Sequence, residues 1–247
     1  MNQTFVRYDF SLYYSMDNTG NRDGEIKTSR GNPKEGCTVT LLIAADGSKG
    51  RAEVNFPRLV EHGAVVAEHR EHAPENVRVT SSPNGWARID SLIQWIETVL
   101  VEFVNDEEEF ILIVDRYPAH LYERFQEAVG DLGGRMDYVP GGCTSLVQPL
   151  DLTIMYAFKC RLRAIWKAWK VGNTEEDGTC PPISSREVLR MIGLAWGRIT
   201  EEAVSLAWQA SRLVQNNDVE IDINDLVVEE EEEGEGLEFL PLSDVDD

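Results

Sequence analysis

Residues 110–115, Phe-Ile-Leu-Ile-Val-Asp, decide the fold. An uninterrupted apolar run with β-branched side chains describes a strand buried on both faces, as in the middle of an α/β sheet. The run stops abruptly at Asp115. Upstream, Leu92, Trp95, Ile96, Val99 and Phe103 recur at helical spacing, so 89–104 reads as an amphipathic helix. Downstream, the pattern predicts a helix over about 121–129 and a short strand at 136–139, closed by Pro140-Gly141-Gly142. A further helix opens at Pro149, where the missing N–H costs nothing. It runs to about Trp169, with Met155, Phe158, Leu162, Ile165 and Trp169 as its apolar stripe and Asp151 one turn earlier on that face.

Towards the amino terminus, Phe10, Leu12, Tyr14 and Met16 alternate with Ser11, Tyr13 and Ser15, which predicts a first strand ending at Asp17. Thr38 to Ile43 reads as a second strand running into Asp46-Gly47, a strong hairpin signal. A third lies within 52–60, where Pro57 argues for an edge or irregular position. Three strands followed by alternating helix and strand describe an α/β sheet with a hairpin on one side. Beyond a linker rich in Gly, Pro and acids at 172–182, two helical segments are expected, at 185–196 and 201–213.

Composition narrows the function classes. Of 247 residues, 42% are hydrophobic, enough for a real core. No apolar stretch approaches the roughly 18–20 residues of a membrane span, and MNQTFVRYDF lacks the basic-then-apolar order of a secretory signal. The four cysteines share no CxxC spacing, so reduced thiols in an intracellular protein are expected. Net charge is −21, and residues 218–247 hold 14 acids with no Lys or Arg, leaving 30 acids against 23 bases in the rest. A globally basic nucleic-acid binder is excluded, whereas a local basic patch is not. The acidic stretch from about Asn217 reads as a disordered tail, with Leu237, Phe239, Leu240 and Leu242 as its last apolar cluster.

Three acids stand out by position: Asp17 and Asp115 at strand ends, and Asp151 in the first turn of a helix. Functional groups of open α/β sheets gather beyond the carboxyl ends of neighbouring strands. Close carboxylates repel, and divalent Mg²⁺ or Mn²⁺ relieves that repulsion with oxygen ligands. Two such ions ~3.5–4 Å apart can clamp an in-line phosphoryl displacement. Each acid also has a local explanation, as a turn former or a partner for a helix dipole, and position alone leaves both open. Lys159, Arg163, Lys167 and Lys170 form a basic stripe on the helix after Asp151, either a phosphate track or a solvated face. His62, His69 and His72 lie among glutamates, where surface histidines and a zinc site are the two readings.

The motifs carry a family resemblance. Ser15-Met16-Asp17-Asn18-Thr19-Gly20 resembles the "NMDETG" segment of the DDE endonuclease domain in pogo/Tigger-type transposases, relatives of the jerky and centromere-protein-B lineages. Ala45-Asp46-Gly47 is similar to their "ADG" hairpin, Asn84-Gly85-Trp86 to "NGW", and 113–120 to "LLDNAPSH". Residues 140–151, PGGCTSLVQPLD, closely resemble "PPNTTSLLQPLD". The match runs in order from about Phe10 to Leu213.

The resemblance implies an RNase H-like mixed five-stranded sheet flanked by helices. It divides the chain into a DDE domain at 1–170, a linker at 171–184, a helical extension at 185–216 and the acidic tail at 217–247. It assigns Asp17, Asp115 and Asp151 as the catalytic, metal-binding triad, with a two-metal Mg²⁺ or Mn²⁺ site and with His120 and Arg116 in support. DNA becomes the expected partner, bound without sequence preference, alongside a protein partner or a homodimer; residence would be nuclear. Asn18 and Arg116 depart from the family's Glu and Asn, and no DNA-reading domain is expected ahead of the first strand. Two functions follow from this: a DNA endonuclease or transposase catalytic domain, or a domesticated domain that binds DNA or protein without chemistry.

Overall fold

A tight reversal organises the first sheet. In the computed structural model, which describes residues 1–8, 36–58, 63–83, 85, 88–104, 109–175 and 178–214, β2 (Gly36–Leu41) pairs antiparallel with β3 (Ala52–Pro57), Val39 opposite Val54. The turn between them uses Asp46-Gly47 as expected. Gly47 takes a φ of 97°, which a side chain would disfavour, and the Asp46 carboxylate accepts from the Ser48 N–H at 2.8 Å. On the other side of β2 lies β1 (Asn2–Arg7), antiparallel, with Asn2 opposite Leu41. The strand expected at 10–16 and the Asp17 that ends it lie outside the described residues.

Helix α1 (Ala64–Glu71) leads to β4 (Val77–Ser82), which runs parallel to β3. β3 is therefore internal, which corrects the edge alternative of the edge or irregular position expected from Pro57. That proline is the strand's last residue, where its missing N–H interrupts nothing inside the ladder. The polar sequence of β4 conceals a strand whose Thr80, Ser81 and Ser82 are all buried. Ser82 Oγ donates to Asn55 Oδ1 at 3.1 Å, and Arg78 pairs with the buried Glu53 carboxylate across the β3–β4 ladder.

A second sheet joins β5 (Phe110–Val114) and β6 (Gly134–Tyr138) in parallel. The described residues thus carry sheets of order β1-β2-β3-β4 and β5-β6, four strands plus two rather than a single five-stranded sheet. The main-chain nitrogen of Met1 donates to Ile113 O at 3.0 Å, so β1 meets β5 at one residue, too little overlap to make a ladder. Burial of β5 on both faces is incomplete for the same reason: Ile111 is 49% exposed.

Two cores flank these sheets. Residues 89–103 are helical throughout, as α2 (Ile89–Trp95), a π-turn at Ile96–Leu100 and α3 (Val101–Phe103). With α4 (Glu123–Gly130) they enclose Leu42, Trp95, Val99, Leu112, Val114 and Phe125. After the single turn α5 (Thr144–Val147), a π-turn at Leu150–Ile154 leads into α6 (Met155–Gly172). It packs with α7 (Ser185–Gly197) and α8 (Glu201–Ser211) over Val39, Val54, Phe56 and Val79, with Phe158, Ile192 and Trp196 at the centre. Gly193 lets α7 approach the loop before β4, since a Cβ there would stand 2.8 Å from Pro74.

The four cysteines are free thiols, and burial pushes Cys37 up to about 12. Among the described residues, no helix is long and apolar enough to cross a membrane.

Candidate functional site

The chain places Asp115 immediately after β5, where the apolar run has to end as it leaves the core. The following Pro118–Leu121 forms a 3₁₀ turn that folds His120 back beneath the acid. The His120 Nδ1 lies 2.8 Å from Asp115 Oδ1 and 3.1 Å from Asp115 O. Both partners are acceptors, so Nδ1 carries the proton and donates. The ring is 3% exposed, stacks on Phe125 with centroids 5.6 Å apart, and meets Tyr117 edge-on. Tyr138 Oη donates to His120 O at 2.9 Å, tying the turn to β6. The hydrogen bond from His120 holds the Asp115 carboxyl below its ordinary value, with partial burial opposing.

Asp151 arrives from the other core. It is the second residue of the π-turn that starts α6, and its N–H donates to Gln148 O at 3.0 Å. Desolvation raises its pKa, and the charge of Asp115 raises it further; Asn2 and Lys159 act in the opposite direction. The two acids therefore share one electrostatic site, although 36 positions of sequence separate them.

The third neighbour is a carboxamide. Asn2 Nδ2 donates to Asp151 Oδ1 at 2.6 Å, while Asn2 Oδ1 accepts from the Gln3 N–H at 2.7 Å. Donor faces acid and acceptor faces N–H, which fixes the amide's orientation chemically. Gln148, 1% exposed, donates from Nε2 to Met1 O at 3.0 Å and holds the start of β1 against the turn before α6. Sequence reasoning missed both residues. The run Thr4-Phe5-Val6, rich in strand formers, was the available signal for β1, while the carboxamides carry no charge to draw notice.

Of the expected site residues, Asp115, Asp151 and His120 come together. Asp17 lies outside the described residues. Arg116 follows Asp115 with its side chain exposed. On α6, Lys159 is near enough to Asp151 to influence it, Arg163 and Lys167 are exposed, and the Lys170 ammonium sits 4.9 Å over the Trp166 ring. His69 packs edge-on against Phe56, and His72 Nδ1 is 2.8 Å from Glu68 O.

Among the described residues, no three His, Cys, Asp or Glu side chains are grouped as a metal cage requires. One carboxylate is engaged by an imidazole N–H, the other by an amide N–H. Among the described residues, two carboxylates and one carboxamide do not by themselves make up a two-metal centre.

A family model described as DDE superfamily endonuclease matches residues 37–208, most of the chain. The chain belongs to the DDE superfamily endonuclease family. Members of this family generally use divalent metals. The chain is 23% identical over 216 residues to the human "Pogo transposable element with KRAB domain", covering 85% of this chain and 34% of that protein. The mouse protein of the same name is 24% identical over 216 residues, with the same coverage. The human "Pogo transposable element with ZNF domain" is 24% identical over 161 residues, covering 65% of this chain and 10% of the relative. The chain thus spans about a third of the length of the first two relatives. No solved structure matches it.

Proposed function

We propose that this chain is a transposase-derived domain that binds DNA along α6 and does not cut it. The carrying observation is the Asn2–Asp151 hydrogen bond, which sets a neutral amide beside the two acids. In this reading Asn2 occupies the third place of the acidic triad, in place of Asp17. A two-metal centre needs carboxylates to bridge and neutralise its ions, and an amide supplies one neutral oxygen, already taken here by the Gln3 N–H. The exposed Arg116 beside Asp115 adds a further cation where an ion would compete.

The DNA-binding half of the proposal rests on α6. Lys159, Arg163 and Lys167 recur every four residues along about 12 Å of helix. Such a stripe can follow a phosphate backbone without reading bases. The pogo relatives support the transposon origin. An RNase H-like ancestry, nuclear residence and the domain limits set out from the resemblance belong to the same reading.

The test is a nicking assay on supercoiled plasmid with Mg²⁺ or Mn²⁺, alongside a salt titration of binding to a random-sequence duplex. Binding that weakens with salt, without nicking, is expected. Nicking by the unaltered chain that disappears in Asp115→Asn overturns the proposal in favour of an endonuclease. Its further loss in Asp17→Asn would give Asp17 the third place.

A further inference from the structure

The second sheet ends, among the described residues, on a strand whose sequence is complementary to itself: β6, Gly134-Arg135-Met136-Asp137-Tyr138. The Val139 N–H donates to Val114 O at 2.8 Å, with Val114 standing opposite Tyr138. Alternation along the strand then turns the main-chain groups of Arg135 and Asp137 towards β5 and those of Gly134, Met136 and Tyr138 towards the outer edge. The side chains divide by face. Met136 and Tyr138 lean on the core that holds Phe125 and Val129. Arg135 and Asp137 lie on the opposite face, 71% and 58% exposed, with guanidinium and carboxylate 3.7 Å apart.

Charge and main-chain direction together select one register for two copies of this edge. Antiparallel strands exchange hydrogen bonds where outward-turned residues meet. A two-fold axis through Met136 does this along the whole strand: Met136 meets its own copy, and Gly134 meets Tyr138 on either side. Arg135 then stands opposite Asp137 of the second copy, twice, in the sites without hydrogen bonds, where side chains approach most closely. With the Arg135–Asp137 contact inside each strand, four charges alternate in sign around the axis. An axis through Arg135 or Asp137 would oppose like charges, and one through Gly134 or Tyr138 would lose both ion pairs. Gly134, whose side-chain position is filled by Phe110 and Val129, brings nothing against Tyr138 of the second copy.

We infer that two copies of this chain pair through antiparallel β6 edges about Met136, joining their second sheets into one of order β5-β6-β6-β5. The contact is isologous: the same patch serves both copies and is used up by the pairing, so assembly at this edge stops at two. Main-chain hydrogen bonds supply the attraction, as in other strand additions. The alternating charges supply the choice of partner, since an edge carrying one sign of charge would meet a like charge at one of the two positions. Five residues a side bury little surface, so the pair forms and parts with concentration.

The test is sedimentation velocity of the full chain across a concentration series, with amide exchange at Met136 followed alongside. A monomer–dimer equilibrium is expected, with the Met136 N–H protected on concentration and exchanging freely on dilution. Arg135→Asp and Asp137→Arg each set like charges across the axis, and each alone should weaken dimerisation about tenfold or more. Both side chains are exposed, so neither change disturbs the core. An equal mixture of the two variants restores opposite charges across the axis at both positions and should dimerise again, as a heterodimer. A chain that stays monomeric at every concentration overturns the inference. So does a dimer indifferent to both substitutions, or a mixture that fails to recover. Protection of Met136 that does not change with concentration overturns it as well, since the edge would then be paired within one chain.

Discussion

Asn2 and Asp151, 149 positions apart in sequence, are joined by a 2.6 Å hydrogen bond that gives Asp151 a neutral donor beside the Asp115 charge. Removing that donor exposes the repulsion between the acids. Asn2→Asp should lower stability by about 1–3 kcal/mol in metal-free buffer, the usual cost of unpairing a hydrogen bond to a charged group. Added Mn²⁺ should recover much of the loss by binding the three carboxylates, with little effect on the unaltered chain. Urea unfolding with and without Mn²⁺ measures both effects. Equal responses of the two proteins to Mn²⁺ would remove Asn2 from the third place.

The two acids respond to pH with opposite sign. Asp115 has its folded pKa depressed by His120, so its contribution is present above the ordinary carboxylate value and disappears as pH falls through the folded value. Asp151 has its folded pKa raised by desolvation and by Asp115. Its contribution is full at low pH and is lost as pH rises through the folded value. Asp115→Asn should therefore flatten the loss of stability on acidification, and Asp151→Asn should steepen it. Denaturant midpoints measured from neutral pH down to about pH 3, across the carboxylate range, decide the signs.

His120 acts through Asp115. It is nearly fully buried, and its Nε2 has no hydrogen-bond partner among the described residues, so Nδ1 provides its polar anchoring. His120→Phe keeps the stacking on Phe125 while deleting the donor. A double-mutant cycle with Asp115→Asn should return a coupling of about 1–3 kcal/mol. A coupling near zero would mean that the ring contributes packing alone.

The legible parts of this fold were those where one physical rule acts alone. The run at 110–114 is apolar because β5 sends Leu112 and Val114 into a core, and Asp115 follows because the chain leaves that core there, although the expected burial on both faces fails at Ile111. The helical stripe through Phe158 and Ile165, and the Asp46-Gly47 turn, were read for equally local reasons. β4 was hidden because Ser81 and Ser82 look like a loop until the Asn55 partner across the sheet is known. Pro57 misled because its cost depends on its place in the ladder, which is tertiary information. At the site, a search for charge finds Asp115 and Asp151 but passes over Asn2, whose role exists only because β1 ends against the π-turn before α6.

Helices α7 and α8 are expected to unfold with the sheet and not ahead of it. Trp196 on α7 is 1% exposed, donates from its indole to Gly50 O at 2.9 Å, and lies beneath the Lys49 ammonium at 5.1 Å. Lys49 in turn donates to the main-chain oxygens of Trp196 and Ile199, capping the end of α7 from the β2–β3 hairpin. Trp196→Ala should cost about 3–5 kcal/mol through the cavity it leaves. The loss should appear in one transition, seen alike by far-UV dichroism and tryptophan fluorescence. A separate early transition confined to helix signal would instead make 185–211 an independent extension.

The basic face of α6 should behave as an electrostatic track whose members are not equivalent. Arg163 and Lys167 are exposed and Lys159 stands beside the acidic site, so all three can meet phosphate without leaving the fold. Lys170 is held over Trp166, and moving it onto DNA would give up that contact. Changing Lys159, Arg163 and Lys167 together to Gln should weaken binding to a random-sequence duplex and reduce the slope of log K against log[salt] by roughly 2–3, near one for each lost phosphate contact. Lys170→Gln should leave that slope nearly unchanged while lowering the thermal midpoint slightly. Because phosphate contacts carry no sequence information, the triple variant should lose affinity equally on any duplex of the same length. A triple variant whose salt slope matches that of the unaltered chain would move the DNA path away from α6.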